Sequence, residues 1–446
     1  MTGGRFLAPF LEHEALFSDQ MIGTVLAIQC AVSSGLGSAG GSWADTRERR
    51  FPGRGRAQVM FCGIVLGSTA FLLHGACHLL PGWGMLLSSE WHFLLRILWA
   101  FSSSLVMPVL DGMTLAHMHK TPGMSQSDYG KERLFGAISW AITNVLIGPA
   151  MDHFGFIILY PFTMIVTVTC FTSIAMYVNG QESADLHHEI PQSIEIDEEP
   201  TKDHHLKELP TPEVPMWVLL RILTTTVYGV GFLFAICCLS MGTSVVESLV
   251  FLFFEFLGGS NTLCGITVAL TVMFEIPIFQ IAPWLLRWVG AGPLQLVAGL
   301  SYIVRVVGYT LIPNNHIAFV LLLEPLHGVT YACSQTSSVD FVAQLMPNGS
   351  EASGQGLLGA FKGLGSVAGL FLGGLLEEKL GPRVMYRILA SIVTVGMVVF
   401  GITSLDTSNV PHRSIMPQSE SDLSSAETEK DDSNASVIEL IPNELM

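Results

Sequence analysis

The chain has 446 residues, of which 50% are hydrophobic and only 13% are charged, and its mean hydropathy is +0.51. An ordinary soluble domain carries about a quarter charged residues, so this composition excludes a soluble globular protein. The net charge of −16 is negative and comes largely from two polar, acidic segments, so we expect no nucleic-acid partner.

Long apolar windows recur along the chain, and each is close to the roughly 20 residues that a helix needs to cross a bilayer. We predict eleven complete spans from them. The run 219–254 is longer than one straight span, so part of it should be tilted or interfacial. The predicted spans are 17–40, 57–80, 91–113, 132–153, 155–178, 219–254, 262–286, 293–312, 316–340, 354–377 and 383–404.

The residues before the first complete span also have a helical pattern. The stretch FLAPFLEHEALFSDQ, from Phe6 to Gln20, is typical of the end of a helix followed by its exit loop. We therefore expect the chain to begin inside a helix, with most of a first membrane helix encoded upstream.

Short loops rich in lysine and arginine set the predicted orientation, because such loops stay in the cytoplasm. The loop RERRFPGRGR, from Arg47 to Arg56, lies between the first two complete spans, and a second basic loop around Lys131 follows two spans later. Both loops should be cytoplasmic. By alternation, the acidic segments 180–214 and 405–446 should be cytoplasmic as well.

The acidic segment in the middle of the chain divides the spans into two sets. We predict an all-α polytopic membrane protein with an amino-terminal bundle at 1–178, made of part of helix one plus five spans, and a six-helix bundle at 215–404. The linker 179–214 and the tail 405–446 should be disordered, and the tail is a candidate binding segment for cytoplasmic partners. This six-plus-six plan is typical of two-bundle secondary transporters.

The loop after the first complete span, GGSWADTRERR, combines a glycine, an aspartate and arginines. It resembles the loop signature of the major facilitator superfamily, which implies a latch between neighbouring helix ends in one transporter state. Thr46 and Glu48 stand where a basic residue and a glycine are usual. An ordinary basic cytoplasmic loop is the alternative interpretation. The latch residues are Gly41, Asp45, Arg47, Arg49 and Arg50.

The stretch YGKERLFGAISWAI, from Tyr129 to Ile142, contains a candidate substrate site. Arg133 and Trp140 are seven residues apart and therefore share one helix face. A guanidinium binds hydroxyls or a carboxylate through its fork, and an indole stacks on the apolar face of a sugar or base. The pair indicates a site for a polar ring compound, although Arg133 also suits a plain cytoplasmic helix start.

Four stretches, YGKERLFGAISWA, SVVESLVFLFF, AGLSYIVRVVGYTL and EPLHGVTYA, resemble the lactose permease-like and nucleoside–proton symporter-like branch of the superfamily, in the same order. The resemblance implies that Arg133 and Trp140 contact the substrate and that Asp111 is their acidic partner one helix earlier. It also implies a titratable network in the second bundle. Its residues are Glu247, Arg305, His327 and Lys362, with Glu275 near the family position in helix eight and Glu324 added from its own placement.

The membrane itself singles out these charged side chains. A charge at a helix centre costs about 2.5–3.5 kcal/mol, so six of them should face one another or a water-filled cavity, unless several are interfacial. The six are Asp111, Glu247, Glu275, Arg305, Glu324 and Lys362.

The proton-carrying residue of the family is absent, because Thr330 occupies the position of its glutamate. Glu324 is our first choice as a substitute, since it shares a helix face with His327, three residues later. A movable contact between Arg305 and Glu324 would gate proton release. A static structural pair is the alternative.

The sequence therefore predicts a secondary active transporter that moves a small polar ring solute, a sugar or nucleoside, together with protons by alternating access. The lipid bilayer is its surroundings, the plasma membrane is the favoured location, and we expect no cofactor, metal site or catalytic residue. The pair His74 and His78, with Cys77 nearby, has metal-ligand spacing, but the sequence offers no further ligands for it. The competing hypothesis is a non-transporting receptor or scaffold of the same fold. The sequence contains no nucleophile–base arrangement that would indicate an enzyme.

Overall fold

A computed structural model of the chain describes residues 4–76, 85–120, 129–188, 215–314, 316–347 and 350–405. These ranges form helices joined by short turns, with no strand among them. The helices of the first half are α1 (Leu7–His13), α2 (Asp19–Arg50), α3 (Gly55–Leu72), α4 (Met85–Lys120), α5 (Tyr129–Phe154) and α6 (Leu159–His188). Those of the second half are α7 (Met216–Thr224), α8 (Val227–Phe256), α9 (Asn261–Val289), α10 (Ala291–Leu311), α11 (Val320–Leu323), α12 (Pro325–Leu345), α13 (Glu351–Leu380) and α14 (Pro382–Thr403).

Eleven helical segments in the described ranges are long and apolar enough to cross a membrane, which confirms the predicted number. The long run 219–254 is divided between the short helix α7 and the span α8. Thr226 makes the break, because its extended backbone ends the first helix and its hydroxyl accepts a hydrogen bond from the Gly229 amide at 2.9 Å. The extra length is therefore a separate helix ahead of the span.

The helices form two sets that meet along two lines. Helices α2, α3, α4 and α6 pack on one another, and α8, α10, α12, α13 and α14 form a second group, with α9 against α12. Between the groups, α2 packs on α13 and α5 packs on α9. The predicted domain limits remain a prediction, and the segments 189–214 and 406–446 lie outside the described residues.

The two ends of the helices differ in the loops they carry. Helices α1, α8 and α13 finish at one end, where His13 contacts Glu255 at 3.2 Å and the Gln20 amide contacts Glu378 at 2.8 Å. The basic loop between α2 and α3 lies at the opposite end. Following the predicted orientation, we call the first the outer end and the second the inner end.

Burial is uneven between the two groups. In the most apolar window of α8, 67% of the residues are buried inside the protein, whereas in that of α6 only 11% are. An apolar helix with so little burial is suited to face hydrocarbon, and α8 is suited to the centre of the molecule.

Candidate functional site

A cluster of charged side chains fills the centre of the molecule, between α1 and the helices of the second half. Arg5, in the turn that precedes α1, is 1% exposed. Its guanidinium donates through Nη2 to Glu247 Oε1 at 3.1 Å and through Nε to Glu247 Oε2 at 3.4 Å. This two-pronged contact matches the planar fork of arginine to a carboxylate, and it ties the start of α1 to α8.

A second carboxylate, Glu324, lies deeper and has no exposed surface. Arg305 Nη2 lies 3.2 Å from its Oε2, the Thr271 hydroxyl donates to the same oxygen at 2.9 Å, and the Tyr309 hydroxyl donates to Oε1. Arg5 Nη1 is 3.9 Å away. Pro325 lacks an amide hydrogen and separates α11 from α12 at this point, so Glu324 sits at a helix break.

His327 joins the two carboxylate groups. Arg305 Nη1 contacts its Nδ1, and its Nε2 lies 2.6 Å from Glu247 Oε1. Because a guanidinium only donates, Nδ1 is the acceptor for Arg305, and we assign the proton of a neutral His327 to Nε2, where it is donated to Glu247; Arg5 Nη2 also lies 3.3 Å from this nitrogen.

The cluster balances its charges. Two arginines oppose two glutamates, and with a neutral His327 the net charge is zero. Burying such groups is tolerable only when they are paired, because an uncompensated buried charge costs about 3–5 kcal/mol. Adding one proton leaves one positive charge in excess, which makes the arrangement sensitive to protonation.

Trp140 connects this cluster to the first half of the chain. The Arg5 guanidinium lies 5.7 Å from the centre of its ring, within the range of a cation–π contact. Beside the ring is a small, mostly apolar cavity whose polar lining comes from Thr143 and Asn144. The half-buried indole thus lies between this mostly apolar cavity and the buried Arg5 guanidinium.

Of the other predicted site residues, Glu275 borders the cluster, because its backbone packs against Gly328, next to His327, and it feels the charges of Glu247 and Arg5. Lys362 donates to Gln335 Oε1 at 2.9 Å and Ser338 Oγ at 2.8 Å on α12. Glu275 lies on α9 and Asp111 on α4, and both are partly exposed. Arg133 belongs to α5, but its side chain lies outside the described part of the structure.

The predicted latch forms a local contact at the inner end. Asp45 accepts two hydrogen bonds from Arg56, from Nε at 3.0 Å and from Nη2 at 2.7 Å, and so joins the end of α2 to the start of α3. Arg47 donates to Gln58 Oε1 at 3.0 Å. Glu48, the departure from the family signature, accepts from the amides of Gly53 at 2.7 Å and Arg56 at 2.9 Å.

The remaining latch residues play smaller parts in these contacts. Arg49 Nη2 donates to the Thr46 hydroxyl at 3.3 Å, and the Arg50 guanidinium lies 5.7 Å from the Phe51 ring centre. A Cβ added to Gly41 would touch Pro108 of α4 at 4.0 Å, an ordinary contact. The arginine that binds the Asp45 carboxylate is therefore Arg56, which is not one of the five predicted latch residues.

Sequence reasoning missed Arg5, Thr271 and Tyr309. Arg5 had a usable signal, because it is a lone charge directly ahead of an apolar helical stretch. Thr271 and Tyr309 carry no such signal, since hydroxyl residues are common in membrane helices and only the fold brings these two to Glu324.

Comparison with known proteins gives consistent results. The model of the MFS_1 like family matches residues 54–388. The maltose permease of Geobacillus stearothermophilus is 22% identical over 398 residues, which cover 88% of each chain. A crystal structure of a mutant of the nucleoside transporter NupG is similar with a TM-score of 0.68 and 13% identity, covering 89% of this chain and 94% of that one. A bacterial homologue of the iron transporter ferroportin, in an inward-facing state, has a TM-score of 0.61 and 16% identity over 90% and 93% of the two chains.

Proposed function

Since the chain belongs to the MFS_1 like family and has the fold of major facilitator superfamily transporters, we propose that it carries a small polar ring solute, a sugar or a nucleoside, together with protons by alternating access. The chain is an integral multi-pass membrane protein with eleven candidate spans in its described part. The observation that carries the proposal is the balanced cluster of Arg5, Arg305, Glu247, Glu324 and His327.

The cluster supports proton coupling because its groups differ in access. The side chain of Glu247 is 38% exposed, whereas that of Glu324 is fully buried beneath three donors. We therefore assign proton entry to Glu247, which hydrogen-bonds His327, and treat Glu324 as the fixed counter-charge of Arg305. Glu324 was the first choice from the sequence, and the test below separates the two.

Protonation of Glu247 would change the position of Arg5. With Glu247 neutral, the Arg5 fork loses its closer ionic partner and keeps only Glu324 at 3.9 Å, while the repulsion from Arg305 persists. Arg5 then gains by binding another acceptor on the side of Trp140, whose ring its guanidinium already contacts. A solute with hydroxyl or carbonyl oxygens on a ring would bind the guanidinium and stack on the indole, so that proton and solute stabilise the same arrangement.

The solute class rests on the Trp140 and Arg5 pair and on the names of the relatives. One relative is a permease for maltose and one structural neighbour is a nucleoside transporter. Both cargoes are polar rings with an apolar face. Arg133, on the same helix face as Trp140, and Asp111 are the further proposed binding residues.

The test is uptake of labelled disaccharides and nucleosides into proteoliposomes, with and without an inward proton gradient. We expect one of them to accumulate only with the gradient. Glu247→Gln should abolish accumulation but leave exchange of solute between the two sides, and Trp140→Ala should weaken binding in both assays. If Glu247→Gln accumulated solute normally and Glu324→Gln did not, Glu324 would be the proton-binding residue instead of Glu247. Folded protein that neither binds nor moves any of these solutes would favour a receptor or scaffold.

A further inference from the structure

A cluster of three possible metal ligands lies at the outer end, apart from the central site and from the proposed transport function. Glu12 and His13 end helix α1, and Glu255 lies in the last turn of α8. One ligand atom from each residue lies within 4.8 Å of the others. We propose that these residues form an outward-facing binding site for a divalent transition-metal ion, with Zn²⁺ as the best-fitting ion.

The distances suit zinc. Zn²⁺ binds imidazole nitrogen and carboxylate oxygen at about 2.0–2.2 Å in a tetrahedral arrangement, so two ligands of one ion stand about 3.3 Å apart. His13 Nε2 and Glu255 Oε2 are 3.2 Å apart without any ion. Glu12 is exposed, and a rotation of its side chain can bring a carboxylate oxygen closer to His13 Nε2 and Glu255 Oε2.

The donor set also points to a transition metal. An imidazole favours zinc, copper or nickel over calcium and magnesium, which prefer all-oxygen sites. Three protein ligands leave a fourth position for water, as in open zinc sites. The His13 ring is already oriented, because it stacks on Phe156 with ring centres 5.4 Å apart and an angle of 24°.

The charges at the cluster favour a cation. Two carboxylates share it with one imidazole that is neutral when it binds metal. A divalent ion would remove the repulsion between the two carboxylates.

Binding would restrain the contact between α1 and α8. Arg5 precedes His13 by eight residues and Glu247 precedes Glu255 by eight, so the proposed site and the Arg5–Glu247 pair join the same two segments at two levels. An ion bound by Glu12, His13 and Glu255 should therefore help to keep Arg5 and Glu247 in contact. Zinc on the outer side is expected to slow any step that separates α1 from α8.

The first experiment measures metal binding itself, with no need for a transport substrate. Purified full-length protein in lipid nanodiscs is heated with ZnCl₂ or MgCl₂, and the bound zinc is titrated by calorimetry. We expect one tight zinc ion per chain, a rise in the unfolding midpoint with zinc only, and at least a tenfold loss of affinity in His13→Ala. Glu255→Gln should weaken binding while leaving the metal-free midpoint close to that of the parent.

The controls are other histidines of the outer end. His153→Ala and His316→Ala remove exposed imidazoles that do not belong to the cluster and should leave zinc affinity unchanged. His78→Ala is a further control, at one of the histidines that lie outside the described residues. Equal zinc affinity in His13→Ala and the parent, loss of binding in His78→Ala alone, or an equal response to magnesium would each overturn the proposal.

Discussion

The two lines along which the halves of the chain meet are built alike at the outer end, but they differ in how their charges are compensated. We call them the α5–α9 seam and the α2–α13 seam. In the α5–α9 seam the backbones touch at two glycines: a Cβ on Gly148 would lie 2.5 Å from Asn261 O, and one on Gly265 would lie 2.2 Å from Asn144 O. Side chains larger than hydrogen have no room there.

Asp152, at the end of α5, closes this seam. Its Oδ1 accepts from the Asn261 amide at 2.8 Å, and its Oδ2 accepts from the Thr262 amide at 2.8 Å and from the Thr262 hydroxyl. A carboxylate in this place satisfies amides that the first turn of α9 leaves free and opposes the positive end of its dipole. The charge of Asp152 is thus compensated, although Asn261 Oδ1 has no hydrogen-bond partner in the described structure.

The α2–α13 seam has the same glycine contacts and capping carboxylate as the α5–α9 seam, but it also contains a buried glutamate. Gly23 and Gly374 bring the backbones together, with an added Cβ only 2.5 to 2.8 Å from the opposite chain. Glu378 accepts from the Gln20 amide at 2.8 Å, as Asp152 does for α9. Its neighbour Glu377, however, is 5% exposed, has an Oε2 with no partner in the described structure, and feels the charge of Asp19.

The comparison indicates an order of opening. Similar backbone contact at both seams gives similar packing, so the charges decide which contact is weaker. An ionised Glu377 would repel Asp19 across the α2–α13 seam, and the described part of the α5–α9 seam has no such pair of like charges. We expect the α2–α13 seam to separate first when the outer end opens.

The largest effect should come from Gly265→Ala. The new methyl group would meet a backbone carbonyl that has no room to yield, and such overpacking costs about 1–3 kcal/mol. Cys264, 1% exposed and adjacent, reports opening when it is the sole remaining cysteine. Its reaction with an impermeant maleimide should accelerate at least tenfold.

Gly112→Ala is the matched control for this substitution, because a Cβ at Gly112 meets nothing within 4 Å. It should leave the Cys264 rate unchanged. A sole Cys238, buried in α8 away from the seam, should stay protected in both variants. Reaction of Cys238 in Gly265→Ala would mean general unfolding and would contradict a local effect.

Asp152→Ala should have the next largest effect, because it removes three hydrogen bonds at the start of α9 while the Ser260 cap stays in place. We expect a loss of about 1 kcal/mol, so Cys264 labelling should accelerate about fivefold. Asp152→Asn keeps one acceptor oxygen and should fall between Ala and the parent. An unchanged labelling rate in Asp152→Ala would show that glycine packing alone holds the seam.

The sequence was a good guide to the spans and to part of the site. Apolar length is a local property, so eleven spans were predicted and eleven segments qualify. Glu247, Arg305 and Glu324 could be proposed as partners because a charge in hydrocarbon must find another, and the family resemblance and the spacing from Glu324 added His327. These four do meet in the structure.

The sequence failed where the partner is remote and the pattern is ordinary. Asp152 looks like a solvent-exposed carboxylate at a helix end, and its partner Asn261 is 109 residues away. Arg56 was counted as one more basic loop residue, although it is the arginine that Asp45 binds. Nothing in the sequence around Thr226 indicated that it would divide one apolar run into two helices.

Glu377→Gln should strengthen the α2–α13 seam by a smaller amount. It keeps the shape of the side chain but removes a carboxyl that repels Asp19 once it is ionised, and we then expect a gain of about 1 kcal/mol in the free energy of unfolding. The gain should grow with rising pH, because the parent carboxyl then ionises and repels Asp19. Unfolding midpoints across a pH series test this, with the exposed Glu90→Gln as control; a midpoint that falls in Glu377→Gln would contradict the repulsion.

Glu378→Ala should have the smallest effect, although Glu378 holds the same place in its seam as Asp152. The reason is that Glu378 accepts from one backbone amide, that of Gln20, whereas Asp152 accepts from two amides and a hydroxyl. Glu378 is exposed, so water can take its place, and the Ser18 hydroxyl, which also hydrogen-bonds Glu378, still caps α2 through the Met21 amide. We expect the unfolding midpoint to fall less than in Asp152→Ala, and the sole Cys264 to label at the parent rate because the α5–α9 seam stays closed. If Glu378→Ala accelerated Cys264 labelling as much as Asp152→Ala does, the two seams would open as one unit and their difference in charge would not set an order. The double variant completes the test, since independent seams should give effects that add.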